Sequence, residues 1–276
     1  NNTRLLFSSD GLSLFAGTQT GEVQVWSLAR RQLLRRLRGA VEPVVLLGQD
    51  PQGRVLVTVQ STAAFEVERP YPPSRISVWD TAEWRQQNSW VVQGVSRKLV
   101  ATDGRWLAMN WTSRAIQVWS LSDLSRTNQL SFPGEILGLA FSPDGQRLAA
   151  ANLTGTVKIW DVPQFRGPKE FQPHSRPVST LAFSPDSRRL ATAGDGDEAV
   201  KLWDVATRQE LIRLTHGRVK LREMLFTADG HQLVARTSSG DFLGWRAPTL
   251  DQIESTNSEQ TAQRKTTEQA RGGQVP

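Results

Sequence analysis

The chain contains no cysteine among its 276 residues. That excludes disulfide staples, thiolate nucleophiles and cysteine-ligated zinc, and it suits either redox environment. Histidine is almost as scarce, with only His174, His216 and His231. Three scattered imidazoles do not make a metal site, and the aspartates do not follow a calcium-loop spacing. Tyrosine occurs once, at Tyr71, and lysine six times against 27 arginines. No stretch of 18 consecutive apolar residues is present, so no segment reads as a membrane-spanning helix. The sequence signatures HExxH, GxSxG, Walker A and the protein-kinase set are all missing. No cofactor is implied, and nothing nominates a catalytic acid–base pair.

A short turn followed by a tryptophan is present instead, and it recurs. Phe141-Ser142-Pro143-Asp144-Gly145 leads to Val157-Lys158-Ile159-Trp160-Asp161. Phe183-Ser184-Pro185-Asp186-Ser187 leads to Val200-Lys201-Leu202-Trp203-Asp204. Fainter copies give six anchors: Trp26, Trp79, Trp119, Trp160, Trp203 and Trp245. Their separations are 53, 40, 41, 43 and 42 residues, and the long first interval contains an insertion. A repeat of this length is a unit that cannot bury its own faces and must stack on its neighbours. Period-2 alternation with turn residues between the runs predicts four short strands per unit. In the fifth unit these are Val178–Phe183, Arg189–Ala193, Ala199–Trp203 and Glu210–Leu214.

These units resemble WD40 repeats, over about residues 3–248. The resemblance implies an all-β fold, a propeller of four-stranded blades around a central channel. Six blades are visible over residues 1–250. The sixth has no clear fourth strand, and the chain opens at Asn1-Asn2 with a strand at Arg4–Phe7. The expectation is therefore a fragment of a longer protein, part of a seven-bladed ring truncated at the N-terminus. Six blades closing imperfectly is the alternative. Residues 251–276 are polar and read as a disordered tail. The close Trp245-Arg246-Ala247-Pro248 resembles the end of large bacterial proteins in which WD40 repeats follow other domains, sometimes a kinase.

The resemblance also implies a structural hydrogen-bond network of His, Ser or Thr, Asp and Trp. The fifth unit alone retains it, as His174, Thr192, Asp197 and Trp203. The other blades should then rely on packing, with less polar bracing.

The implied function is non-catalytic: a scaffold presenting loops to a protein or peptide partner. The insertion between the second and third strands of unit two is the favoured site. It contains Phe65, Arg69 and Tyr71 on a proline-stiffened loop, where anchors lose little entropy on binding. Its counterpart is an idle surface loop. A ligand-binding or catalytic channel is the alternative function. Arg30, Arg31, Arg35, Arg36 and Arg38 form a stripe that could grip phosphate. Charge on an outer strand more commonly blocks edge pairing, and no recognition element accompanies it, so nucleic acid is not the expected partner. Trp84, Trp90, Trp106 and Trp111 read as packing between blades. The sequons at Asn110 and Asn152 read as chance. The expected compartment is the cytoplasm.

Overall fold

A computed structural model describes residues 4–39, 41–50, 52–61, 73–93, 99–123, 127–196, 200–215, 217, 219–253 and 255. The strands fall into six antiparallel sheets. Blade one is β1 (Arg4–Phe7), β2 (Ser13–Gly17), β3 (Glu22–Ser27) and β4 (Gln32–Arg38). Blade two is β5 (Val44–Gln49), β6 (Val55–Ser61), β7 (Ser74–Asp80) and β8 (Arg85–Val92). Blade three is β9 (Val100–Thr102), β10 (Trp106–Thr112), β11 (Ala115–Ser120) and β12 (Thr127–Ser131). Blade four is β13 (Ile136–Phe141), β14 (Arg147–Asn152), β15 (Val157–Asp161) and β16 (Lys169–Phe171). Blade five is β17 (Val178–Phe183), β18 (Arg189–Gly194), β19 (Val200–Asp204) and β20 (Glu210–Leu214). Blade six has three described strands, β21 (Leu221–Phe226), β22 (Gln232–Thr237) and β23 (Phe242–Arg246).

The recurring turn has a specific chemistry. In blades one, four, five and six, a hydroxyl closes the turn between the first two strands. Ser8, Ser142, Ser184 and Thr227 each donate to the aspartate two residues on, respectively Asp10, Asp144, Asp186 and Asp229. The same oxygen accepts the amide five residues on, at Ser13, Arg147, Arg189 and Gln232. The aspartate accepts a second amide, as Leu12 gives to Asp10 at 2.9 Å. Blade two replaces the hydroxyl with a carboxylate, and Asp50 itself takes the Val55 amide at 2.6 Å. This explains why that turn carries no Ser-Pro-Asp-Gly sequence.

Alternation along the third strand then builds the core. The residues one and three before each anchor tryptophan point at the next blade. They are Val23 and Val25, Ile76 and Val78, Ile116 and Val118, Val157 and Ile159, and Val200 and Leu202. Each pair packs in one cluster with the anchor of the following blade: Trp79, Trp119, Trp160, Trp203 and Trp245. Removing one such aromatic from water contributes about 1.5–3 kcal/mol, so five such interfaces carry the fold.

The six blades follow one another in a ring whose seam lies between the sixth and the first. Among the described residues no extensive contact joins these two blades. The seam shows in exposure. Phe7 is 61% exposed, although Phe141 and Phe183, in matching positions of blades four and five, are 6% and 8% exposed. After β23 the chain turns through Ala247 and Pro248 into a helical turn at 250–253, and among the described residues blade six has no fourth strand. Leu250 is buried, and Asp251 accepts from Arg188 at 2.8 Å. Residues 256–276 lie outside the described residues.

Candidate interaction surfaces

The insertion of unit two leaves β6 and returns in β7. Its two roots are held in an antiparallel ladder that runs out to Ser61 opposite Ser74. Buried Gln60 donates to the carbonyl of Gly21 at 2.9 Å, tying the root to blade one. Ser61 Oγ donates to the carbonyl of Pro73 at 3.1 Å, closing the base. Glu42 lies 4.0 Å from Arg75 beside it. Phe65, Arg69 and Tyr71 themselves lie outside the described residues. Any group carried on this loop springs from a rigid, buried footing.

In blade five, Thr192 Oγ1 is a shared node. His174 Nε2 lies 2.9 Å from it, and Trp203 Nε1 donates to it at 2.9 Å. His174 is buried, so the pair joins the incoming loop to the second and third strands. Asp197 lies outside the described residues. Two bracing devices escaped the sequence reading. Trp79 Nε1 donates to Thr58 Oγ1 at 3.2 Å, the same bond three blades earlier in the ring. In blade four, Asn152 Oδ1 accepts the Thr154 and Thr156 amides, and its Nδ2 donates to the carbonyl of Pro133. A threonine two residues beyond the leucine opposite the anchor would have signalled the first; nothing local signals the second. Asn110 and Asn152 are both buried and engaged, so neither sequon is presented for glycosylation.

Part of the arginine stripe is paired within its own blade. Arg36 and Arg38 both hold Glu22, at 3.0 and 2.7 Å. Their hydrogen bonds, Arg38 first, keep the Glu22 carboxyl below its ordinary range. Arg35 sits 6.0 Å from the ring of Trp84. Charge paired across an edge strand is a poor phosphate clamp. Trp106 is buried, edge-on to Phe165 at 5.1 Å. Trp84 and Trp90 pack partly buried against the clusters of blades one and two. The side chain of Trp111 lies outside the described residues.

Among the described residues no group of His, Asp and Glu is placed to hold a metal ion. No described helix is long and apolar enough to cross a membrane. A groove of about 420 Å³ is lined by His231, Gln232, Gly244, Trp245 and Arg246, at the uncovered side of blade six.

Sheets of this form, laid around an axis and joined through inter-blade tryptophans, define a β-propeller. The family described as WD domain, G-beta repeat matches residues 126–161 and 168–204. WD40 repeats are thus found in these two segments. The chain is 26% identical over 158 residues to the target of rapamycin complex subunit wat1 of Schizosaccharomyces pombe, covering 55% of this chain and 49% of that protein. It is 21% identical over 208 residues to autophagy-related protein 16 of Arabidopsis thaliana, covering 74% and 38%. The match thus spans less than half the length of these relatives. A chain in the crystal structure of the mitotic checkpoint complex superposes with a TM-score of 0.68 at 19% identity, over 89% of this chain and 74% of that one.

Proposed function

We propose that this propeller is a non-catalytic scaffold that binds a protein or peptide partner on loops held by rigid blades, with the insertion of unit two as the principal contact. The observation carrying this reading is the footing of that insertion. Its roots are paired to the last residue of both strands, and Gln60 ties them to the neighbouring blade. A loop on such a base loses little conformational freedom on binding. Relatives named for a target of rapamycin complex and for autophagy point the same way, as does the likeness to a chain of a multiprotein checkpoint assembly. The closing residues Trp245–Pro248 support a place in a larger bacterial signalling protein.

The test replaces Phe65, Arg69 and Tyr71 together by alanine and installs a photo-crosslinker at position 75, on the loop's footing. The expected outcome is loss of the crosslinked partner with an unchanged circular dichroism spectrum. An identical set of crosslinked proteins from both forms removes the loop from consideration.

A further inference from the structure

We propose that β8 is a self-association edge. Two copies of this chain pair antiparallel along residues 88–92 about a two-fold axis, so that blade two of one continues into blade two of the other. The contact does not use the insertion of unit two.

The outer strand of a blade presents unpaired N–H and C=O groups on its free side. Such an edge accepts a further strand unless shortness, charge or a bend blunts it. Four of the five described outer strands are blunted. β4 carries Arg35, Arg36 and Arg38, which flank its exposed Leu34. β16 is three residues long and carries Lys169 and Glu170. β20 carries Glu210 and Arg213 within five residues. β12 is uncharged, but it has only five residues and exposes no large apolar side chain.

β8 differs from all four. At eight residues it is the longest outer strand described. Its single charge, Arg85, stands at the first position, opposite Asp80. The ladder with β7 shifts register between Val78 and Trp79, which leaves Gln87 as a bulge. From Asn88 opposite Val78 to Val92 opposite Ser74 the ladder is unbroken. This regular part is uncharged, and Trp90, Val91 and Val92 are residue types that favour a pleated surface. Asn88 is exposed, Trp90 is half-buried and Val91 is 48% exposed. Among the described residues no strand pairs with the free side of β8.

Charge and symmetry select the occupant. A two-fold axis normal to an antiparallel pair sets one residue opposite its own copy. On β4 that geometry would bring arginine against arginine, which is destabilising. On β8 an axis anywhere within residues 88–92 keeps the two Arg85 side chains at least about 20 Å apart. That exceeds the screening length of about 8 Å at physiological salt. The same strand serves on both sides of the axis, so one pairing covers both edges and leaves none for a third copy. A contact of this extent buries less than the roughly 1,200 Å² at which stable interfaces begin. The dimer is therefore weak and dependent on concentration.

Analytical ultracentrifugation of the 276-residue protein tests this between about 1 and about 300 µM. The mass is expected to rise from monomer towards dimer and to go no further. Hydrogen exchange over residues 86–93 is expected to slow across the same range. Asn88→Lys and Val91→Lys each place a charge on the edge and are expected to weaken association about tenfold or more. Gln129→Lys makes the same change of charge on β12 and is expected to leave association as it is. Circular dichroism checks that each variant remains folded, and the exchange measurement needs no variant. A monomer at every concentration, association that both edge variants leave intact, or equal weakening by Gln129→Lys overturns the proposal. A monomer in which residues 86–93 are already protected shows that the chain's own loops cover the edge, and overturns it too. Growth beyond a dimer refutes the two-fold geometry.

Discussion

Among the described residues Arg189 is the largest side chain buried completely, at 1% exposure, and replacing it by leucine tests how blade six is held. Its Nη1 donates to the carbonyls of Ala247 at 2.8 Å and Pro248 at 2.7 Å, and its Nη2 to the carbonyl of Gly230 at 3.1 Å. Asp186 supplies a counter-charge at 3.4 Å, and the guanidinium lies 5.3 Å from the Phe226 ring. Burial pulls the guanidinium pKa down from its ordinary value, and Asp186 acts against that pull. Two effects compete in Arg189→Leu. The substitution relieves the desolvation of a cation, which alone favours the variant. It also strands three carbonyls, at about 1–3 kcal/mol each when buried without a donor. The second effect is larger, because the carbonyls belong to the backbone and cannot be removed along with the charge. We expect a net loss of about 3–5 kcal/mol. At about 2–4 °C per kcal/mol for a domain near this size, the midpoint falls by roughly 10 °C. Differential scanning calorimetry reads this directly. Limited proteolysis should show earlier cleavage near Ala247–Ile253 than elsewhere. Arg189→Lys keeps the charge but loses the planar fork, so its loss should lie between wild type and leucine. A midpoint within about 1 °C of wild type for Arg189→Leu would refute this account.

The turn at Gly155 gives a second test. It has φ +86°, and an added Cβ would lie 2.1 Å from the carbonyl oxygen of His174, a backbone atom that cannot swing aside. Gly155→Ala should cost about 2–4 kcal/mol in urea denaturation, whereas Gly167→Ala, with φ +52° and open space around it, should cost about 1 kcal/mol. Equal losses would show that the approach of the two loops does not matter. Acid provides a third. The Ser8 hydroxyl lowers the Asp10 pKa, Thr227 lowers that of Asp229, and arginines lower that of Glu22. For Asp186 burial alone would raise it, and Ser184, the Arg188 amide and Arg189 outweigh that effect. Each folded-state pKa lies below its unfolded value, so each contribution is complete above the ordinary carboxylate range. It is lost as pH falls below about 4 and through the folded values. Melting temperature should hold steady down to about pH 5 and then decline; a flat profile to pH 3 would contradict it.

Much of the architecture was legible because its code is local and repeated. Turn hydroxyl, aspartate, alternating strand and closing tryptophan all lie within one unit, so spacing alone located the blades and left the sixth without an outer strand. The resemblance to WD40 repeats, not the pattern itself, pointed to His174, Thr192 and Trp203, where the histidine and tryptophan nitrogens each lie 2.9 Å from the shared Thr192 hydroxyl. What escaped was relational. Thr58 was one threonine among many until the pairing of β6 with β7 put it beside Trp79. Arg189 was one of 27 arginines, and only the return of the chain at Ala247 and Pro248 made it a buried pin.

By itself, then, the sequence determined the unit: which residues turn, which pair, and which face each side chain takes, since a period of two assigns faces without reference to anything distant. The tertiary structure alone decided where the ring has its seam. Blade one carries Leu5, Phe7 and Trp26 as if a neighbour were present, while the seam side of blade six carries Phe242, Gly244 and the Arg236–Glu223 ion pair. Whether such faces are covered depends on which sheets stand next to one another. That is a property of the assembled ring, and no single repeat encodes it.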